Sequence, residues 1–210
     1  QATGTVNVPV YGDTVFEPAG TITTLSHVHA MHQVEFGLPI STPLTQWLGM
    51  QPNTECPNGT NPLQSTLRAV LSAMMWSSTT AAQAIRQHFG ESNINATAAA
   101  LGMTHTGLHH TLGCVSEAVA NPNAMTLADL HTLHKQVKNG YLGSQRQMFY
   151  DLMYRDIQDY RLDLVISAEG IALGLNASTI VTFKNLTHVA HGFGRYTLTN
   201  GGAPYYAISD

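Results

Sequence analysis

The stretch FEPAGTITTLSHVHAM, residues 16–31, decides how the rest of the sequence is read. Its apolar residues Ile22, Leu25, Val28 and Met31, continued by Val34, recur at helical spacing, and Gly37 supplies the stop. Glu17-Pro18-Ala19 opens the segment, since proline suits the first turn of a helix. Upstream, VNVPVYGDTVF mixes β-branched residues with Gly and Pro and reads as a strand or hairpin arm. A strand followed by a long, buried helix is the expectation.

Downstream, residues 38–61 carry Pro39, Pro43, Pro52 and Pro57, with Gly49, Gly59 and the adjoining Pro62, and read as a loop. Helical spacing then dominates in residues 63–76, 80–89 and 94–101, the last two stopped by Gly90 and Gly102. Thr126-x-x-Asp129 is a capping-box variant that starts another helix, ended by Gly140. Two more helices are expected over residues 145–154 and 162–173.

After Gly174 the composition turns β-branched and aromatic, in STIVTF, THVAHGFGRYTLT and PYYAIS with a Gly201-Gly202 turn. The order strand, many helices, strands predicts an α+β domain spanning 1–210. Its antiparallel sheet comes from the terminal segments, 1–36 and 175–210, and a mainly helical subdomain, 62–174, is inserted between them.

Composition limits the function. Charged residues are 10% of the 210, where about 25% is usual, so the surface is covered largely by Ser, Thr, Asn, Gln and Gly. A net charge of −4 without a Lys/Arg cluster argues against nucleic acid as a partner, because counterion release needs a basic footprint. No apolar run approaches the roughly 18 residues of a membrane span. Numbering from Gln1, without a Met, suits a processed, secreted chain. There, Cys56 and Cys114, both in loop-like sequence, read as one disulfide. Asn58, Asn95, Asn176 and Asn185 head glycosylation sequons, several of them expected by chance in so Asn/Ser/Thr-rich a chain.

With FEPAGTITTLSHVHAM placed on a helix after a strand, the sequence resembles the serine β-lactamase and penicillin-binding-protein superfamily, in the segment that carries its S-x-x-K signature. MMWSSTTAAQAIRQHFG resembles the segment around the family's S-D-N motif. NINATAAALGMTHTGLHH and NPNAMTLADLHTLHKQVKNGYLG resemble the helices before and after its Ω-loop. HVAHGFGRYTL and PYYAIS resemble the K-T-G strand and its successor. The likeness runs in the family's order from about Thr14 onward.

The resemblance implies positions for chemistry that these residues lack. A hydroxyl nucleophile needs an amine one helical turn away to take its proton. Here the nucleophile position is Gly20 and the lysine position is Thr23. The second motif reads Ser77-Ser78-Thr79, without the acid or the amide. The third reads Gly192-Phe193-Gly194, with His191 beside the lost cation. Glu117 is the only acidic residue between Cys114 and Thr126, where the deacylating glutamate would stand.

Eleven histidines invite a metal reading, notably His27, His29 and His32 and then His105, His109 and His110. No ligand spacing of a zinc site is present, so neither metal nor cofactor is expected. His131 and His134 read as solvent-facing or capping residues, and Met74-Met75-Trp76 as core. A Ser26–His29 or Ser77-based hydrolase lacks an acid partner and a nucleophile elbow.

The expected protein is a catalytically inactive extracellular domain that acts as a binding or structural, self-associating module. A hydrolase or amidase with a different nucleophile in the same cleft is the alternative, and a cleft holding β-lactam or peptidoglycan-like ligands uncleaved is a third. The family's sheet has strands before the nucleophile helix and a strand and helix after the PYYAIS strand. Nineteen residues precede Gly20, and Asp210 closely follows PYYAIS. That leads to the expectation of an open sheet edge completed by another copy or a partner.

Overall fold

The computed structural model describes residues 12–48, 61–76, 78–112, 120–153, 180–184 and 205–208. The expected N-terminal strand and the helix over 162–173 lie mostly or wholly outside these residues.

Helix α1, Thr23–Glu35, follows a 3-10 turn over Ala19–Ile22 and stands at the centre of the helical part. Residues 23–31 are all buried, so this helix is covered on every side rather than along one stripe. Its covering elements are α2 (Leu67–Met75), α3 (Thr79–Phe89), α4 (Glu91–Leu101) and α6 (Arg146–Met153). Helix α5, Leu127–Lys138, packs on α4. Leu25, Val28 and Met31 meet Leu71, Met74, Ile85, Ile94, Met125, Leu133 and Phe149 in one core. Each such side chain contributes roughly 1.5–3 kcal/mol on burial.

The helix ends follow local chemistry. Thr66, Ser78 and Thr126 cap α2, α3 and α5 by accepting the backbone N–H groups of Ala69, Ala81 and Asp129. Only the forward half of the capping box forms at Thr126, because the Asp129 carboxylate turns outward to residues 105 and 106. Gly102 ends α4 in the left-handed conformation, at φ 82°.

The loop expected over residues 38–61 is corrected. Pro43–Leu48 forms strand β1, which pairs antiparallel with β2, Asn61–Thr66, so the helix expected from Leu63 starts only at Leu67. The alternation was hidden because a glutamine takes an inward position. Leu44 and Gln46 are buried while Trp47 is half-buried, and the Gln46 amide donates to Thr80 Oγ1 at 2.6 Å. Near the C-terminus β3 (Ile180–Lys184) pairs antiparallel with β4 (Tyr205–Ile208), and β3 lies against α6. The fold is α+β as expected.

Candidate functional site

The start of α1 carries the positions at which a nucleophile and its base were expected. Pro18 leads into the 3-10 turn, where the Thr21 N–H donates to the Pro18 carbonyl. A Cβ on Gly20 would meet nothing within 4 Å, so the nucleophile position opens onto free space. Thr23 is buried, and its hydroxyl donates to the Gly20 carbonyl at 2.7 Å. The base position thus holds a hydroxyl committed to the backbone.

Behind Thr23 lies a cavity of about 10 Å³, room for one water molecule, lined by Thr23, Ser26, Arg86, His110 and Thr111 with apolar neighbours. Arg86 Nε donates to Glu91 Oε2 at 3.2 Å. Its other nitrogens reach Glu91, Thr111 Oγ1 and the His109 carbonyl. His110 places Nε2 at 3.3 Å from Glu17 Oε1 and Nδ1 at 2.9 Å from its neighbour's carbonyl, Thr111 O. Both nitrogens of this imidazole are engaged, so it has none left to take a proton from Ser26.

At the second motif Ser78 serves as the N-cap of α3, with its oxygen 3.2 Å from Thr80 Oγ1. Gln46 donates to both hydroxyls. Thr79 is exposed. The polar side chains here fasten β1 to α3. Ser77, Glu117, His191, Gly192 and Gly194 lie outside the described residues, as do Cys56, Cys114, Asn58, Asn176 and Asn185.

Facing α1 is the loop over residues 103–112, which is held by side chains rather than by a ladder. Asp129 Oδ2 accepts from the His105 N–H and the Thr106 hydroxyl, both at 2.8 Å. Asn95 clamps Leu108, donating to its carbonyl and accepting its N–H, both at 2.8 Å. Buried Asn123 accepts the N–H groups of His109 and His110 at 2.7 and 3.0 Å. Gly107 pairs with Ala124 in an isolated bridge. Sequence reasoning missed Asn123, Gln46 and the Glu17–His110 contact, and read Asn95 only as a sequon. Nothing in the sequence ties these residues to partners 13 to 93 positions away.

The other histidines have separate settings. His29 Nδ1 lies 2.7 Å from Thr97 Oγ1, and burial, with a smaller contribution from His32, lowers its pKa to about 4. His27 stacks on Phe149 at 4.5 Å, and His32 on Tyr141 at 4.4 Å. His134, expected at the surface, has both ring nitrogens buried beside Tyr150. Its pKa falls to about 4, through burial first and His131 second. Among the described residues no three His, Cys, Asp or Glu side chains converge as metal ligands.

Comparison with known proteins gives this architecture a family. The profile of the Beta-lactamase enzyme family matches residues 2–179, and the chain belongs to that family. Among solved structures it is similar to PBP-A, with 23% identity and a TM-score of 0.64 over 84% of this chain and 64% of that one. An acyl-enzyme complex of a PBP-A mutant with penicillin-G is similar at 22% identity and TM-score 0.64, covering 83% of this chain and 64% of that one. An ancestral class A β-lactamase follows at 21% identity and TM-score 0.63, covering 93% of this chain and 76% of that one. At these identities the likeness is one of fold. The aligned part of this chain spans 64% of the length of PBP-A. A comparison with curated proteins gives no match.

Proposed function

We propose that this chain is a catalytically inactive member of its family, an extracellular domain that binds or self-associates rather than hydrolyses. One observation carries the reading. The nucleophile position offers no side-chain atom, and the hydroxyl at the base position is bonded to the backbone carbonyl of that same residue. Loss of the nucleophile alone costs on the order of a millionfold in turnover in a comparable serine enzyme. Self-association draws support from the low surface charge and from Val15, Phe36, Leu63, Trp76 and Leu127, each exposed by 43% or more.

The test is incubation with penicillin followed by intact-mass measurement, alongside a chromogenic cephalosporin. The expected result is no added mass and no colour. A mass increase equal to one penicillin overturns the inactive reading and moves the nucleophile elsewhere in the cleft. Native mass spectrometry then reports assembly, and a thiol titration under denaturing, non-reducing conditions reports the Cys56–Cys114 bridge expected of an exported chain.

A further inference from the structure

The surroundings of His110 fix where its protons must be. A backbone carbonyl has no proton to give, so the contact between Nδ1 and Thr111 O requires a proton on Nδ1. In a neutral imidazole Nε2 would then be a bare acceptor. Yet Nε2 faces Glu17 Oε1, which as a carboxylate oxygen is also an acceptor. A ring with acceptors against both nitrogens is satisfied by a proton on each. The side chain of His110 is 6% exposed and that of Glu17 22%, so water does little to screen the pair. The second Glu17 oxygen, Oε2, is buried without a hydrogen-bond partner, which leaves Oε1 as the one through which this carboxylate is held.

We infer that Glu17 and His110 are a partly buried ion pair, with His110 an imidazolium at neutral pH, and that this pair fastens the start of α1, around Gly20, to the loop over residues 103–112. The geometry makes the fastening effective at both ends. Glu17 is one residue from Pro18, whose carbonyl starts the 3-10 turn under Gly20. His110 is pinned by Asn123 through its own N–H. A charge-assisted bond between them joins a segment with few side-chain ties to one with many.

The other groups around the pair do not displace it. From α3 comes Arg86, whose charge is met by Glu91 at the start of α4. From α1, Thr23 and Ser26 line the cavity beside His110. The loop contributes Thr111. The sign of the pH dependence follows: the fastening is complete while His110 keeps its second proton and is lost as rising pH removes it, leaving two acceptors face to face.

The experiment is NMR of the His110 ring in the full chain, read from its two nitrogen shifts as a function of pH. At pH 7.5 both nitrogens of the wild type are expected to carry protons, although an ordinary histidine, with a pKa of about 6.5, would be mostly neutral there. Glu17→Gln is expected to make His110 neutral at that pH. It should also raise amide exchange in residues 16–23 by about tenfold, the scale of one charge-assisted hydrogen bond. A wild-type His110 that is neutral at pH 7.5 overturns the inference without any variant. An imidazolium that persists unchanged in Glu17→Gln overturns the pairing with Glu17.

Discussion

Two segments face each other across the cleft, the start of α1 and the loop over residues 103–112, and they have been treated in opposite ways. The loop has no regular secondary structure, yet Asn95, Asn123 and Asp129 hold it by seven hydrogen bonds, each a side chain reaching backbone or hydroxyl. The start of α1 is regular, yet few long-range side-chain bonds hold it: Gly20 has no side chain, and the Thr23 hydroxyl donates to the Gly20 carbonyl three residues back. The loop is thus held by side chains from neighbouring elements, whereas the start of α1 is held largely by its own turn.

The largest test of that contrast is Asn123→Ala. The substitution removes the acceptor of two backbone N–H groups at a residue that is 1% exposed, leaving both donors unpaired beside the core. At 1–3 kcal/mol for each orphaned group, a loss of about 4 kcal/mol is expected in urea unfolding. A change below about 1 kcal/mol would show the clamp to be dispensable.

Acid is the next way to break the frame. His134 and His29 both have pKa values lowered to about 4, first of all by burial, so the folded state prefers them neutral. Stability is therefore complete above the unfolded value of about 6.5 and falls as pH drops through the window from 6.5 to 4. At His134 the loss is on the order of 3 kcal/mol, and His29 adds to it. Unfolding midpoints at pH 7.5, 5.5 and 4.5 should fall in that order, and His134→Phe should flatten the slope. The Glu17–His110 pair would fail at the other end of the scale, in base, so the two sensitivities separate the frame from the fastening.

How much of this was legible depended on whether a residue acted near itself in sequence. The central helix, its Gly37 stop, the Thr126 cap and the closing strands rest on local spacing, and residues 19–35, 126–138, 180–184 and 205–208 form as read. Strand β1 failed the reading because Gln46 is buried for a partner 34 positions later, which inverts the apolar alternation. His134 looked like a surface residue because its cover comes from α6, beyond the period of its own helix. Asn95 read as a glycan acceptor, yet both ends of its amide are taken by Leu108, and Thr97 of the same sequon lies within hydrogen-bond reach of His29. The roles expected of Gly20 and Thr23 rest on resemblance alone, since nothing in local spacing marks a missing nucleophile.

Two glycines bring the comparison down to single atoms. A Cβ at Gly107, in the clamped loop, would fall 2.3 Å from His109 Nε2, far inside contact distance. The ring is the movable end of a half-buried side chain, so rotation relieves part of the clash, and Gly107→Ala is expected to cost about 1 kcal/mol. A crystal structure or ring NMR of the variant should find His109 turned away. An unmoved ring with unchanged stability would mean the loop is looser than its hydrogen bonds imply.

The smallest effect is expected at Gly20. Its Cβ direction is empty to 4 Å, and its backbone is not among those with positive φ, so a side chain meets neither a wall nor a strained conformation. Gly20→Ser also removes some of the excess conformational freedom of glycine in the unfolded chain, and stability should stay within about 0.5 kcal/mol or rise slightly. The restored hydroxyl should nevertheless remain inert. Its nearest expected base is Thr23, whose oxygen donates to the Gly20 carbonyl and has no basicity to offer, and the His110 imidazole in the adjoining cavity has both nitrogens occupied. Intact mass after incubation with penicillin should therefore show the unmodified variant. A covalent adduct would mean that the frame still activates a serine placed in it, and that only one atom separates this chain from its family's first chemical step.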